Sequence, residues 1–331
     1  MAAMTFQNRN FSIPHSVEAA HQLSASCSSL RNNSELKRRR PNGFGWARSS
    51  VLVMLLSATI GASATNYTLW VNGRNGGGVP GNYNDFGYWG TASVNAGVNK
   101  KAVNWDGRNR ISTQMSRLIN ALDCFCTGTN WCYVAAHSAG NLMVGYVLDL
   151  HGGTNRYKKT PMPRSDGQCT NSDGKTQKGW NIKWVGVAGG AAGGSEIADI
   201  GNLVPLDYDL KTITARSLYN HNNTRGTMFY LFAGAKGSVF SMLLPGQDDS
   251  WVAYHSSGGV AGTSSAAYCN LADWLCNDLT LGTAPTQNGK PKWTNHSVLL
   301  RDDGVLYNHG PNGNWGGIVA PLRSHMQANA K

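Results

Sequence analysis

Trp131-Cys-Tyr-Val-Ala-Ala-His-Ser-Ala-Gly-Asn141 is the stretch that decides the reading of this chain. A short β-branched and aromatic run ends in Ala136-His-Ser-Ala-Gly140 and passes straight into an apolar segment with helical spacing. This is the layout of a nucleophile elbow. A serine on a tight strand-to-helix turn exposes its Oγ and brings the N–H at the helix start near a reacting carbonyl. Small residues, here Ala136 and Gly140, are needed where the chain passes closest to itself. Ser138 is therefore the candidate nucleophile.

Outward from the elbow, strand-like and helix-like pieces alternate, which predicts an α/β fold in one domain, a mostly parallel sheet flanked by helices. Tyr67-Thr-Leu-Trp-Val71 reads as the first strand and runs into Asn72-Gly-Arg-Asn-Gly-Gly-Gly78. Ala102-Val-Asn-Trp105 reads as the second, followed by a helix carrying Ile111, Met115, Leu118, Ile119 and Leu122 on one face. The helix after the elbow carries Leu142, Met143, Tyr146, Val147 and Leu150, with Gly152-Gly153 available to end it. Residues 155–179 are polar, basic and rich in turn formers, a surface insertion pinned by Cys169. Strands resume at Ile182-Lys-Trp-Val-Gly-Val187 and Met228-Phe-Tyr-Leu-Phe232.

A serine nucleophile needs a base, a carboxylate to orient that base, and N–H donors for the oxyanion. After the strand at 228–232, Leu244-Pro-Gly-Gln-Asp-Asp-Ser-Trp-Val252 offers two aspartates, of which Asp249 is preferred and Asp248 is the alternate. An Asx turn exposed to solvent is the competing reading of that loop. His296 to His309 reads as a β-hairpin about Asp303-Gly304, which would bring both histidines to one open end. His309 is the preferred base, because it follows Val305-Leu-Tyr307 and precedes a Gly-rich loop and a closing helix from Pro321; His296 is the alternate. His137, His151, His221 and His255 read as local or surface residues. For the oxyanion, one donor is the N–H of Ala139 and the second comes from Gly73 or Arg74 in the loop after the first strand, a loop that could equally be plainly flexible.

The full chain carries 29 basic and 18 acidic residues; seven and two of these precede residue 65, which leaves 22 and 16, a net +6, for residues 65–331. No basic run is long enough to track a phosphate backbone, which argues against nucleic acid, although the surplus suits anionic surfaces. Residues 1–64 read as a leader and secretory signal: a polar stretch closes on Lys37-Arg-Arg-Arg40, then Val51-Leu-Val-Met-Leu-Leu-Ser-Ala-Thr-Ile60 forms a short apolar core before Ala62-Ser-Ala64. Cleavage is expected near Ala64, giving a secreted or extracytoplasmic domain at 65–331. An uncleaved anchor is the alternative, and residues 1–40 also match what an unused upstream start would leave. Beyond Cys27, six cysteines (Cys124, Cys126, Cys132, Cys169, Cys269, Cys276) suggest three disulfides in an exported chain. Cys269 to Cys276 is the most local closure, and a Cys124 to Cys126 bridge would be strained. A zinc site at 124–132 is disfavoured, since no CxxC pair or ligand-spaced histidine accompanies it.

Elbow, acid loop, late histidine and Gly-rich first loop, in that order, make residues 66–325 resemble the α/β-hydrolase superfamily, most nearly its small secreted serine lipases and esterases. Ala136 in place of the commoner Gly resembles the elbow of small bacterial lipases, and Asp249 ahead of Trp251-Val252 resembles their acid loop. The resemblance implies cleavage of a small-molecule or lipid ester through an acyl-enzyme, without cofactor or metal. Asn72-Gly73-Arg74 stands where the family has its His-Gly motif. The chain departs from the pattern at 75–100, where no helical periodicity appears. An inactive hydrolase-fold binding protein and an acyltransferase with the same triad stay open, since Tyr83, Tyr88, Trp89, Trp251 and Trp315 would suit a carbohydrate surface as well as an acyl pocket.

Overall fold

The computed structural model describes residues 63–331 apart from positions 94, 238, 262–278, 288 and 311–316. The readings that concern Cys27, Cys269, Cys276, Trp315 and the leader before residue 63 lie outside the described residues. In chain order the elements are β1 (Asn66–Val71), β2 (Lys100–Val103), α1 (Ile111–Phe125), β3 (Trp131–His137), α2 (Gly140–His151), β4 (Asn155–Pro163), β5 (Cys169–Lys178) and β6 (Ile182–Ala188). Three short helices follow, α3 (Glu196–Ile200), α4 (Pro205–Asp209) and α5 (Thr212–Ser217). The chain continues through β7 (Phe229–Ala233), α6 (Tyr254–Ser257), β8 (Thr286–Gln287), β9 (Lys290–Pro291), β10 (His296–Arg301) and α7 (Val319–Asn329).

Six strands form one sheet in the order β10-β7-β6-β3-β1-β2, and every pairing in it is parallel. Alternation along the strands divides the core between the two faces. Leu69 and Val71 of β1, Val134 and Ala136 of β3, and Phe229 and Leu231 of β7 pack in one cluster with α1 and α2. Trp70, Ala135 and Phe232 pack on the other face with Leu322 and Met326 of α7. A strand buried on both sides reads as a continuous apolar run, as β3 does. From β1 the chain steps outward to β2, then crosses back so that β3 lies on the other side of β1. The loops leaving β1 and β3 therefore diverge at their carboxyl ends, and a crevice opens there.

Residues 155–179, the expected surface insertion, form an antiparallel hairpin of β4 with β5. It is tied to α1 by the Cys124–Cys169 disulfide and by the ion pair of Arg156 with Asp123. A second disulfide, Cys126–Cys132, joins the end of α1 to the start of β3. The three thiols a zinc site at 124–132 would have used are thus consumed. Of the aromatics read as a surface, Tyr83 and Trp89 are core residues instead.

The hairpin expected over residues 296–309 does not form. His296–Arg301 is β10, the edge strand of the parallel sheet, paired with β7. The Asp303-Gly304 turn signal is real, but the Asp302 carboxylate gathers the amides of Gly304, Leu306 and Tyr307 at 2.9, 2.6 and 2.6 Å. Those bonds wind the chain into a compact loop, so no return strand follows. The carboxyl end of β10 leads towards the crevice, whereas His296 lies at the opposite edge of the sheet.

His296 is stacked on Phe229 with ring centroids 4.9 Å apart, and His221 is stacked on Trp293 at 3.9 Å. Burial pushes His221 down to about 3 and His296 down to about 4. Both rings are therefore neutral in the fold and charge more readily in the unfolded chain. Native stability from these groups is complete above the unfolded value near 6.5 and is lost as pH falls towards 4. For His296 the loss is on the order of 3 kcal/mol. Urea denaturation should show this fall, and His296→Gln should flatten it; an unchanged slope in the variant would remove His296 from the account.

Candidate active site

The turn from β3 into α2 puts Ser138 in the left-handed backbone region, at φ 55°. A non-glycine residue pays a conformational cost there and persists only where its surroundings enforce it. Here the enforcement is backbone packing. A Cβ on Gly140 would lie 2.7 Å from the carbonyl oxygens of Val71 and Asn72, and one on Gly73 would lie 2.6 Å from Ser138 Cβ. The loop after β1 is pressed directly against the elbow.

Asp249 and His309 come together on the same side of the sheet. His309 Nδ1 is 2.7 Å from Asp249 Oδ2, and the His309 N–H donates to the Asp249 carbonyl at 2.9 Å. Asp249 is fully buried, and its Oδ1 accepts from the amides of Trp251 and Val252 at 3.1 and 2.9 Å. Both oxygens of this carboxylate are thus hydrogen-bonded, as burial of a carboxylate requires. Donation through Nδ1 leaves Nε2 of His309 as the basic nitrogen. Ser138 and His309 line one cavity of about 310 Å³. No hydrogen bond joins Ser138 Oγ to His309 Nε2 in this structure; such bonds often tighten only when substrate binds.

The alternates fall elsewhere. Asp248 accepts from Ser241 Oγ at 2.9 Å and from the Ser250 amide at 2.7 Å, bracing its own loop. Burial raises its carboxyl to about 6. His296 is separated from Ser138 by the length of the strands, because a parallel strand starts at one edge of the sheet and the loops of the crevice leave from the other.

The N–H groups of Ala139 and Arg74 donate to no acceptor among the described residues, and both belong to segments flanking Ser138. Gly73 lies in the same loop, where a Cβ on it would come within 2.9 Å of the Tyr88 hydroxyl. Arg74 is held by a two-point ion pair with Asp207, Nε to Oδ1 at 2.6 Å and Nη2 to Oδ2 at 2.9 Å. Asp207 also accepts from the amides of Leu203 and Val204, at 2.8 and 3.1 Å. This ties the β1 loop to the segment that lines the cavity with Ile197, Ala198 and Leu203, together with Trp251 and Val252. The wall is apolar and the Ser138 end is polar.

Three contributors were not given these places from the sequence. Gly189, at φ 51°, lies where a Cβ would meet Asp249 Oδ2 at 2.7 Å and His309 Nδ1 at 2.9 Å. His137, read as local or surface, is buried beside Ser138, and Tyr88 faces it. Adjacency to Ser138 was a signal for His137; nothing local marked Gly189, whose importance comes from residues 60 and 120 positions away. Among the described residues, no group of three or more His, Cys, Asp or Glu side chains could hold a metal ion.

No family model and no curated protein matches the chain. Among solved structures it is similar to EstA from Clostridium botulinum, at 11% identity over 80% of this chain and 86% of that one, with a TM-score of 0.47. It is also similar to the Staphylococcus hyicus lipase, at 10% identity over 81% and 95% of the two chains, TM-score 0.42. For the mature form of Bacillus licheniformis lipase BlEst2 the values are 15%, 59% and 79%, with a TM-score of 0.37. The alignment spans 48% of that lipase's propeptide form. The chemistry of the site rests on its own geometry.

Gly189→Ala tests the packing of the dyad. A left-handed backbone with a Cβ costs about 1 to 2 kcal/mol, and the new methyl must also displace Asp249 or His309. Unfolding stability should fall by at least that amount, and the hydrogen-bonded Nδ1 proton of His309 should shift or disappear in the NMR spectrum. A variant with wild-type stability and an unchanged resonance would show that the dyad tolerates the methyl.

Proposed function

We propose that this chain hydrolyses carboxylic esters through an acyl-enzyme formed on Ser138. The observation that carries the reading is the buried Asp249 carboxylate 2.7 Å from His309 Nδ1, in a cavity that also exposes the strained elbow serine. In this reading His309 Nε2 takes the Ser138 proton as Oγ attacks the ester carbonyl. The amides of Ala139 and Arg74 receive the negative charge that develops on the carbonyl oxygen. Collapse of the tetrahedral intermediate breaks the bond to the alkoxide oxygen, which takes the proton from His309 and leaves as the alcohol. Water then attacks the acyl group, again deprotonated by His309, and Ser138 is regenerated.

The apolar wall made by Ile197, Leu203 and Trp251 supports an acyl chain as the bound portion. Two disulfides, Cys124–Cys169 and Cys126–Cys132, support export to an oxidising compartment. The basic surplus supports contact with anionic surfaces.

Turnover of p-nitrophenyl esters of increasing chain length tests the assignment. Ser138→Ala should fold normally and lose activity by several orders of magnitude, together with labelling by a fluorophosphonate. His309→Ala should be equally inactive, and Asp249→Asn should lose roughly 10³- to 10⁴-fold. His296→Ala and Asp248→Asn should keep activity within about tenfold, because neither group reaches the reacting atoms. Undiminished turnover in Ser138→Ala would sink the proposal.

A further inference from the structure

His137 immediately precedes Ser138, is 1% exposed, and has both ring nitrogens engaged. Its Nε2 lies 2.6 Å from the carbonyl oxygen of His309. A carbonyl oxygen can only accept, so Nε2 carries a proton. Its Nδ1 lies 2.5 Å from the Tyr88 hydroxyl. Burial, with the neighbouring His309 ring adding to it, holds the His137 ring in its neutral form. In a neutral ring protonated at Nε2, Nδ1 is a lone pair, and the Tyr88 O–H must donate to it. The tautomer is thereby assigned from the chemistry of its two partners.

The bonds that hold His309 by its N–H and by its ring Nδ1 both run to Asp249. The His137 bond holds it by its main-chain carbonyl oxygen, and it does so from the residue bonded to Ser138. Trp89 and Tyr88 enclose the imidazole, with ring centroids at 6.1 and 5.8 Å, and the His309 ring is 4.7 Å away. An apolar side chain of similar size would fill this space without requiring two polar partners. Building on the reading of Ser138 as nucleophile and His309 as base, we propose that His137 is a positioning residue that fixes the base relative to the nucleophile. Its Nε2–H anchors the His309 main chain, and Tyr88 locks the tautomer that makes this donation possible.

The test compares His137→Leu, His137→Gln and Tyr88→Phe on a short-chain p-nitrophenyl ester, with ¹⁵N NMR of histidine-labelled wild-type protein. His137→Leu should lower kcat by about 10- to 100-fold, the range expected when reacting groups are misplaced by about an ångström, with KM changed less than about threefold. Glutamine carries a donor and an acceptor, so His137→Gln should recover kcat to within about fivefold of wild type. Tyr88→Phe should lower kcat by about tenfold and release His137 into a mixture of tautomers. In the wild type, the His137 resonances should report a protonated Nε2 and a bare Nδ1.

Wild-type kcat in His137→Leu, a glutamine variant as poor as the leucine variant, or a protonated Nδ1 would each overturn the inference. Should His137→Leu fail to fold, the wild-type tautomer and the kcat of Tyr88→Phe decide it on the same terms. Ser138→Ala separates the two levels. Turnover surviving in that variant overturns the nucleophile reading and this inference together, whereas an inactive Ser138→Ala beside a normal His137→Leu overturns the positioning role alone.

Discussion

The contact between the loop after β1 and the turn after β3 is the constraint on which the rest of the site depends. Parallel pairing of β1 with β3 sets the two strand ends side by side, with Val71 opposite Ala136. Backbone then meets backbone at Gly140, where any side chain would collide with the carbonyls of Val71 and Asn72. The approach holds Ser138 in its left-handed conformation and sets the loop that carries Arg74 against the turn that carries Ala139. Asn72 stiffens the same junction: its side chain donates to the Trp105 carbonyl and accepts from the Trp105 amide, both at 3.1 Å.

Electrostatic contributions are unequal across the molecule, and burial ranks them. Arg164 with Asp166 and Lys175 with Asp173 are exposed pairs on the hairpin, worth at most about 1 kcal/mol each. Asp249 is different, because removing the partner of a fully buried charge typically costs about 3 to 5 kcal/mol. The loop at 248–252 supplies its two amides and His309 supplies the third donor, so the acid loop and the histidine loop stabilise each other. Arg74 with Asp207 lies between these extremes. It lines the cavity and couples the loop after β1 to the short helix α4.

Local patterns were legible wherever a single segment carried the signal. The alternation of strands and helices, the one-face spacing of α1, and the glycines after α2 could all be read directly, as could the small residues around Ser138. The preference for Asp249 over Asp248 rests on the resemblance of its position before Trp251-Val252 to a lipase acid loop, and those two residues supply the amides that accompany its carboxylate. The C-terminal region misled for a physical reason. Asp303-Gly304 is a strong turn signal, but whether a strand returns after a turn depends on what the preceding strand pairs with. β10 pairs with β7, with His296 opposite Phe229 far earlier in the chain.

The sequence by itself determined the α/β class, the serine at the strand-to-helix turn and the order of the acid and histidine behind it, because propensity, spacing and turn chemistry are properties of neighbouring residues. Only the tertiary structure decided which histidine meets Asp249, that Arg74 is braced by Asp207, and that Gly189 must lack a side chain. It also decided that His137 is buried between Tyr88 and the His309 carbonyl. Each of these joins groups that are far apart in the chain and meet where parallel strands end. Their positions follow from strand order and register, which are set by how the whole set of apolar faces is buried at once.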